Sequence, residues 1–173
     1  MLFRQLFARV SCTYTYLLAD EGTGEALLID PVDTLVDRDA QLIDELGLTL
    51  LAPVETHVHA DHVTAATALH DRLGSEIIIP AAADCLAQSC RKVGEGDTIT
   101  FGKHTLEVRP TPGHTEACTT YVHRDAGMLF TGDTLFVRGC GRTDFQGGSA
   151  ETLYESVHAH IFSMPDDTRS FPG

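Results

Sequence analysis

The sequence predicts a strand-rich α/β (α+β) domain, and three observations carry that expectation. Short apolar and β-branched runs recur through both halves of the chain. A few stretches instead place apolar residues at helical spacing. Residues able to bind a metal stand just beyond several of the strand-like runs. Helices this few are expected to cover sheet faces rather than to build the core.

Taken in order, the strand-like runs lie at 2–7, 13–18, 25–29, 48–54, 76–79, 98–101, 105–108, 117–122 and 127–130. The first helix is expected over 37–46, where Ala40, Ile43 and Leu46 share one face and Gly47 ends the pattern. A second helical pattern covers 63–73. A third opens on Ser149, a good N-cap, and carries Leu153, Val157 and Ile161 on one stripe. No internal repeat or low-complexity linker interrupts the chain.

The densest chemistry is Thr56-His57-Val58-His59-Ala60-Asp61-His62, at the turn between the run 48–54 and the following helical pattern. Three imidazoles and a carboxylate at such a turn can converge on one point, and neutral imidazole with a carboxylate is a common donor set for zinc and iron. The same chemistry returns twice downstream. Thr111-Pro112-Gly113-His114-Thr115 and Phe130-Thr131-Gly132-Asp133-Thr134 each offer one ligand type after a strand-like run, with a glycine beside it that lets backbone pass close to a crowded centre. Taken singly, His114 or Asp133 reads as a hydrogen-bonded loop residue. As members of one set they read as ligands. His158 and His160 lie off the stripe of the last helix and read as ordinary surface or boundary histidines, and His70, His104 and His123 stand apart from the ligand motifs.

The order His-x-His-x-Asp-His, Gly-His-Thr, Thr-Gly-Asp resembles the metallo-β-lactamase superfamily. Within it, 56–65 together with Arg138-Gly139-Cys140-Gly141-Arg142-Thr143-Asp144-Phe145-Gln146 resembles the persulfide dioxygenases, as do the opening 1–7 and the stretch 13–18. Glyoxalase II, a near relative, shares the metal motifs and the Gly-Cys-Gly-Arg turn but usually departs after the arginine. The resemblance implies an αββα sandwich with its metal loops at one edge, formed by 1–173 as a single domain. It also implies that the chain is incomplete at its C-terminus, because Phe171-Pro172-Gly173 stops where the family pattern continues with a further histidine and a portion that helps to bind the thiol substrate.

For the metal, the resemblance allows two arrangements. A binuclear hydrolase would use His57, His59 and His114 at one ion and Asp61 and His62 at the other, with Asp133 bridging and a further histidine from beyond residue 173. A mononuclear ferrous site maps onto His57, His114 and Asp133, with His59, Asp61 and His62 as groups behind the ligands that orient them or water. The second arrangement uses only residues present in this chain, so one Fe(II) per chain is expected, with zinc as the alternative. Three ligands leave room on an octahedral ion for water, a persulfide sulfur and dioxygen. The expected reaction is oxidation of glutathione persulfide by dioxygen to sulfite and glutathione, with no side-chain nucleophile. Arg142 is the candidate for fixing either the loop or a substrate carboxylate, the loop role being favoured, and Cys140 for lining the approach or packing the turn. The alternatives are glyoxalase II-type, zinc-dependent thioester hydrolysis and a non-enzymatic metal-binding role.

Composition bounds the partners. A chain of 173 residues with 43% hydrophobic content and mean hydropathy −0.02 can build a substantial core. With 25 acidic and 12 basic residues the net charge is −13, which repels a phosphate backbone, so nucleic acid is not expected as a partner. No apolar run is long enough to cross a bilayer, and a strand pattern directly after Met1 leaves no room for a leader, so a cytoplasmic location is expected. The oligomer is open, a homodimer included. Five cysteines, Cys12, Cys85, Cys90, Cys118 and Cys140, form an odd set without a Cys-x-x-Cys pair, which argues against a disulfide framework and leaves all but Cys140 as ordinary small apolar residues.

Overall fold

The computed structural model describes residues 1–85 and 89–173 and builds two sheets. The first runs in chain order through β1 (Leu2–Ala8), β2 (Thr13–Ala19), β3 (Glu25–Ile29), β4 (Thr49–Val54), β5 (Ile78–Pro80) and β6 (Arg91–Val93), antiparallel as far as β3 and parallel beyond it. The second contains β7 (Thr98–Phe101), β8 (His104–Pro110), β9 (Thr119–His123) and β10 (Met128–Gly132) as an antiparallel meander, with β11 (Arg169–Pro172) added parallel to β10.

Strand alternation decides the layers. Tyr16, Leu18, Leu27 and Ile29 point from the first sheet into an interior shared with Phe101, Leu106, Tyr121 and Phe130 of the second. Their neighbours in sequence, Leu17, Ala19, Ala26 and Leu28, point the other way and bury Ala40, Ile43 and Leu69 of two helices, α1 (Val36–Glu45) and α2 (Ala66–Leu73). On the far face of the second sheet, Val122 and Leu129 meet Leu153, Val157 and Ile161 from α3 (Ala150–Ser156) and the π-helical turn that continues it, Val157–Ile161. The layers are therefore α, β, β, α. Burial of each large apolar side chain in such an interior contributes roughly 1.5–3 kcal/mol.

Differences from the expected elements have local causes. The helical pattern at 63–73 begins only at Ala66, because Val63 and Thr64 are held in a bridge to the segment after β3: Asp33 N–H donates to the Val63 carbonyl, and Thr64 pairs with Val32. The strand expected from 117 starts at Thr119, since the Cys118 thiol and amide close a turn back onto Thr115. Two strands, β6 and β11, lie outside the expected runs. Each is short and carries charged or polar residues, and each is recruited by a neighbouring edge. β11 is fixed by Phe171, whose ring lies 4.9 Å from that of Phe3, 5.5 Å from Phe130 and 5.8 Å from Tyr16, and by the Tyr16 hydroxyl, which donates to the Pro172 carbonyl.

The cysteines need correction. Cys85 and Cys90 are joined by a disulfide, their Cα atoms 6.2 Å apart across the connection between β5 and β6, a separation that suits the bond. Cys12 is exposed rather than packed, and of the four expected to be apolar only Cys118 is a buried free thiol.

Candidate metal centre

The candidate ligands stand just past the C-terminal ends of β4, β8 and β10, so the two sheets deliver them to a common edge. Their aim is set from behind. Asp30, immediately after β3, is buried and takes a positive φ of 50°, a conformation that aspartate tolerates better than most residues. Its carboxylate accepts the Thr56 N–H at 2.7 Å and the Thr56 hydroxyl at 2.8 Å. That hydroxyl has committed its proton to Asp30. The His57 Nδ1 found 2.9 Å from it must therefore donate, which leaves a bare lone pair on His57 Nε2.

His114 is prepared in the same way by a different partner. Its Nδ1 donates to the Arg142 carbonyl at 2.7 Å, freeing Nε2. The two Nε2 atoms then converge on one oxygen: Asp133 Oδ2 lies 3.9 Å from His57 and 3.5 Å from His114. Ligand atoms of His57, His114 and Asp133 all lie within 4.8 Å of one another. Two imidazole nitrogens and one carboxylate oxygen in this arrangement fit a divalent cation. Burial, with positive His59 nearby, pushes the pKa of His57 down to about 3, so the ring is neutral and available as a ligand. Asp133 is raised above the usual carboxylate range by burial, against the pull of His114 and His59. Close approach is possible because of glycines. A Cβ on Gly132, where φ is 47°, would sit 2.3 Å from Thr56 Oγ1, and one on Gly141 would sit 2.4 Å from the Asp133 carbonyl and 2.8 Å from the His114 ring.

His59, Asp61 and His62 form a second group within the same 4.8 Å limit, and His59 also belongs to a third with Asp30 and Glu55. Its Nε2 is 3.3 Å from an oxygen of each buried carboxylate. Burial opposes charge on His59, yet hydrogen bonds and charge from Asp30 and Glu55 outweigh it and hold the pKa well above the ordinary value. Asp30 in turn is held low, the protonated His59 overcoming its desolvation, while burial pushes Glu55 up. His62 Nδ1 lies 3.1 Å from Asp61 and 3.4 Å from Thr13, and its Nε2 is buried with no hydrogen-bond partner among the described residues. The rings of His57, His59 and His62 stand in a row, with centroids 4.1 Å and 4.2 Å apart. A cavity of about 210 Å³ lined by Thr13, His59, Asp61, Asp133 and Phe136 gives access to this edge.

The Arg142 guanidinium is exposed and engaged by Asp144 at 2.7 and 3.0 Å, so it stiffens the loop whose carbonyl fixes His114. Cys140 is exposed and lines a separate groove with Leu135, Leu153 and Tyr154. His158 is exposed beside Tyr154, while His104 and His123 pair with each other at 3.2 Å. Sequence reasoning missed the roles of Asp30, Glu55 and Thr56. Only the position of Asp30 directly after a strand-like run, level with the other ligand turns, could have pointed to it.

A family model described as the metallo-beta-lactamase superfamily matches residues 10–171. The chain belongs to the metallo-β-lactamase superfamily. Within this superfamily it is similar to the mitochondrial persulfide dioxygenase ETHE1 of Mus musculus, 53% identical over 173 residues that cover 99% of this chain and 67% of the relative. The crystal structure of ETHE1 from Myxococcus xanthus is 46% identical, with a TM-score of 0.95 over 100% of this chain and 75% of that one. A hydroxyacylglutathione hydrolase of Rhizobium meliloti is 36% identical over 169 residues, covering 97% of this chain and 64% of the relative. The superfamily's αββα sandwich, expected from the motifs, is the architecture observed. Among the described residues no helix is long and apolar enough to cross a membrane.

Proposed function

We propose that this chain oxidises the terminal sulfur of glutathione persulfide with dioxygen, giving glutathione and sulfite, at one Fe(II) held by His57, His114 and Asp133. The observation that carries this reading is the convergence of His57 Nε2 and His114 Nε2 on Asp133 Oδ2, while His59 is committed elsewhere. The similarity to proteins named persulfide dioxygenase supports the choice of substrate. The overall reaction balances as RSSH + O₂ + H₂O giving RSH + H₂SO₃.

His57, His114 and Asp133 would hold Fe(II), which would supply binding of the persulfide sulfur and redox chemistry toward dioxygen. The chain supplies everything around it. Thr56 and the Arg142 carbonyl hold protons on the two Nδ1 atoms and so keep both Nε2 atoms aimed at the ion. A single ligating carboxylate leaves the site net positive toward an anionic persulfide within a chain of net charge −13. Asp61 faces the same cavity as Asp133 and is assigned to orienting the water that enters the product. Arg142 is assigned to the loop rather than to a substrate carboxylate. Residues 1–173 are taken as one domain, and the cytoplasmic placement expected from the sequence stands as part of this proposal, beside a murine relative whose name places it in mitochondria.

The second reading, zinc-dependent thioester hydrolysis, draws on the second ligand group and on the hydrolase relative. An oxygen electrode separates the two. Stoichiometric oxygen uptake and sulfite formation with glutathione persulfide support the dioxygenase; release of glutathione from an acylated form without oxygen uptake supports the hydrolase.

A further inference from the structure

A second cavity, of about 300 Å³, lies against the same histidines: its lining includes His57, His59, His62, Ile79, Cys85 and Cys90. The disulfide is thus part of the wall of a chamber that touches the metal site. The ring it closes spans a sequence separation of only 5, so it constrains the unfolded chain less than a disulfide across a longer loop would. Cys85 and Cys90 are half-buried against Ala66, Ile77, Ile79 and Ala83 and line the cavity, so small molecules can approach the bond from it. Disulfides reachable in this way are the exchangeable ones.

We propose that Cys85 and Cys90 form a redox pair that reduces a small persulfide to thiol and hydrogen sulfide, an oxygen-independent outlet beside the metal site. The choice of persulfide rests on the function proposed above. In the reduced protein one cysteine thiolate attacks the outer sulfur of RSSH. The persulfide S–S bond breaks, RS⁻ leaves and takes a proton, and the cysteine carries the outer sulfur as Cys-S-SH. The second thiolate attacks the inner sulfur of that group and expels HS⁻, which leaves as H₂S. The sum is two Cys-SH + RSSH giving the disulfide + RSH + H₂S, with two electrons passing from the pair to the outer sulfur. Two molecules of a small thiol restore the dithiol and are themselves oxidised to RSSR. Glutathione, the thiol product of the proposed metal reaction, is of that class. The pair therefore records the ratio of persulfide to thiol in the chamber.

The test uses the protein as purified, reduced with dithiothreitol, freed of reductant and kept without oxygen, so that the dioxygenase reaction cannot run. Glutathione persulfide is added, remaining thiols are alkylated, and peptides are mapped. Alkylation at Cys85 and Cys90 is expected to fall at least about tenfold, with one H₂S released per disulfide formed, and excess glutathione should restore it. Cys85→Ser should remove that release, with Cys90 recovered as the alkylated thiol or the alkylated persulfide and never in an intramolecular disulfide. The proposal is overturned if both cysteines stay open to alkylation in the wild-type chain, or if H₂S release is unchanged in Cys85→Ser. Should the variant fail to fold, the wild-type peptide map alone decides. Because oxygen is absent, failure of this test leaves the dioxygenase reading standing, and a chain that consumes no oxygen but shows the H₂S release loses only that reading.

Discussion

His57 and His59 are two positions apart on one loop and the side chains of both are largely covered, yet their surroundings drive them to opposite states. His57 is kept neutral by burial beside positive His59, and the hydroxyl under its Nδ1 can only accept from it, so its Nε2 presents a lone pair on the side of Asp133. His59 faces two buried carboxylates and keeps its proton. The motif supplies imidazoles; Asp30 and Glu55, outside it, hold the proton on His59, and under the function proposed here that sorting limits this edge to one metal.

The contrast between His57 and His59 breaks most completely at Asp133, on which the Nε2 atoms of His57 and His114 converge. Asp133→Ala should lower iron retention and oxygen uptake by more than about 100-fold, beyond the 10–100-fold typical of groups behind the ligands. Iron per chain and oxygen uptake measured together check this, and a variant that kept both would refute the triad.

A smaller effect is expected one step back. Thr56→Val preserves shape but removes the hydroxyl that sets the His57 tautomer, and iron affinity should fall about tenfold in competition against a chelator. Unchanged affinity would mean that Asp30 and Thr56 merely fold the loop.

The two histidines should also leave opposite marks on the pH dependence of the metal-free protein. His57 has its folded pKa depressed to about 3, so the unfolded chain takes up its proton first. Its contribution to stability is full above about pH 6.5 and is lost below it, by about 1.4 kcal/mol per pH unit until the folded pKa is reached. His59 has its folded pKa raised, so its contribution is full below about pH 6.5 and is lost as pH rises through the folded value. Urea unfolding across pH should show His57→Gln flattening the acid side and His59→Gln the alkaline side. Slopes changing in the same direction in both variants would contradict the sorting.

Much of this was legible in the sequence, for physical reasons. His57, His114 and Asp133 announce themselves because each follows a strand-like run and lies close to a glycine in the fold that permits close approach. The two-layer core was legible in the alternation of strands such as Tyr16-Leu17-Leu18. What the sequence concealed depends on contacts between distant segments. Asp30 and Glu55 look like ordinary loop acids until β3 and β4 pair in parallel and bring them to His59. The Arg142 carbonyl, which fixes His114, is invisible to any reading of side chains. β6 and β11 have too few apolar residues to declare themselves, and the disulfide between Cys85 and Cys90 depends on a fold-imposed distance.

The smallest effect is expected away from the two histidines, as a control. The Ser149 hydroxyl accepts the Thr152 N–H at the start of α3, so Ser149→Ala should cost about 1 kcal/mol of stability by urea unfolding and leave iron affinity unchanged. A change in iron affinity there would show that helix packing, rather than the hydrogen bonds behind the ligands, governs the site.

Commitment of His59 to Asp30 and Glu55 should limit this edge to one metal. Elemental analysis of protein purified without oxygen from iron-supplemented cells tests that claim most directly. The predicted result is about one iron per chain with little zinc; about two zinc ions per chain would place His59, Asp61 and His62 among the ligands and contradict it.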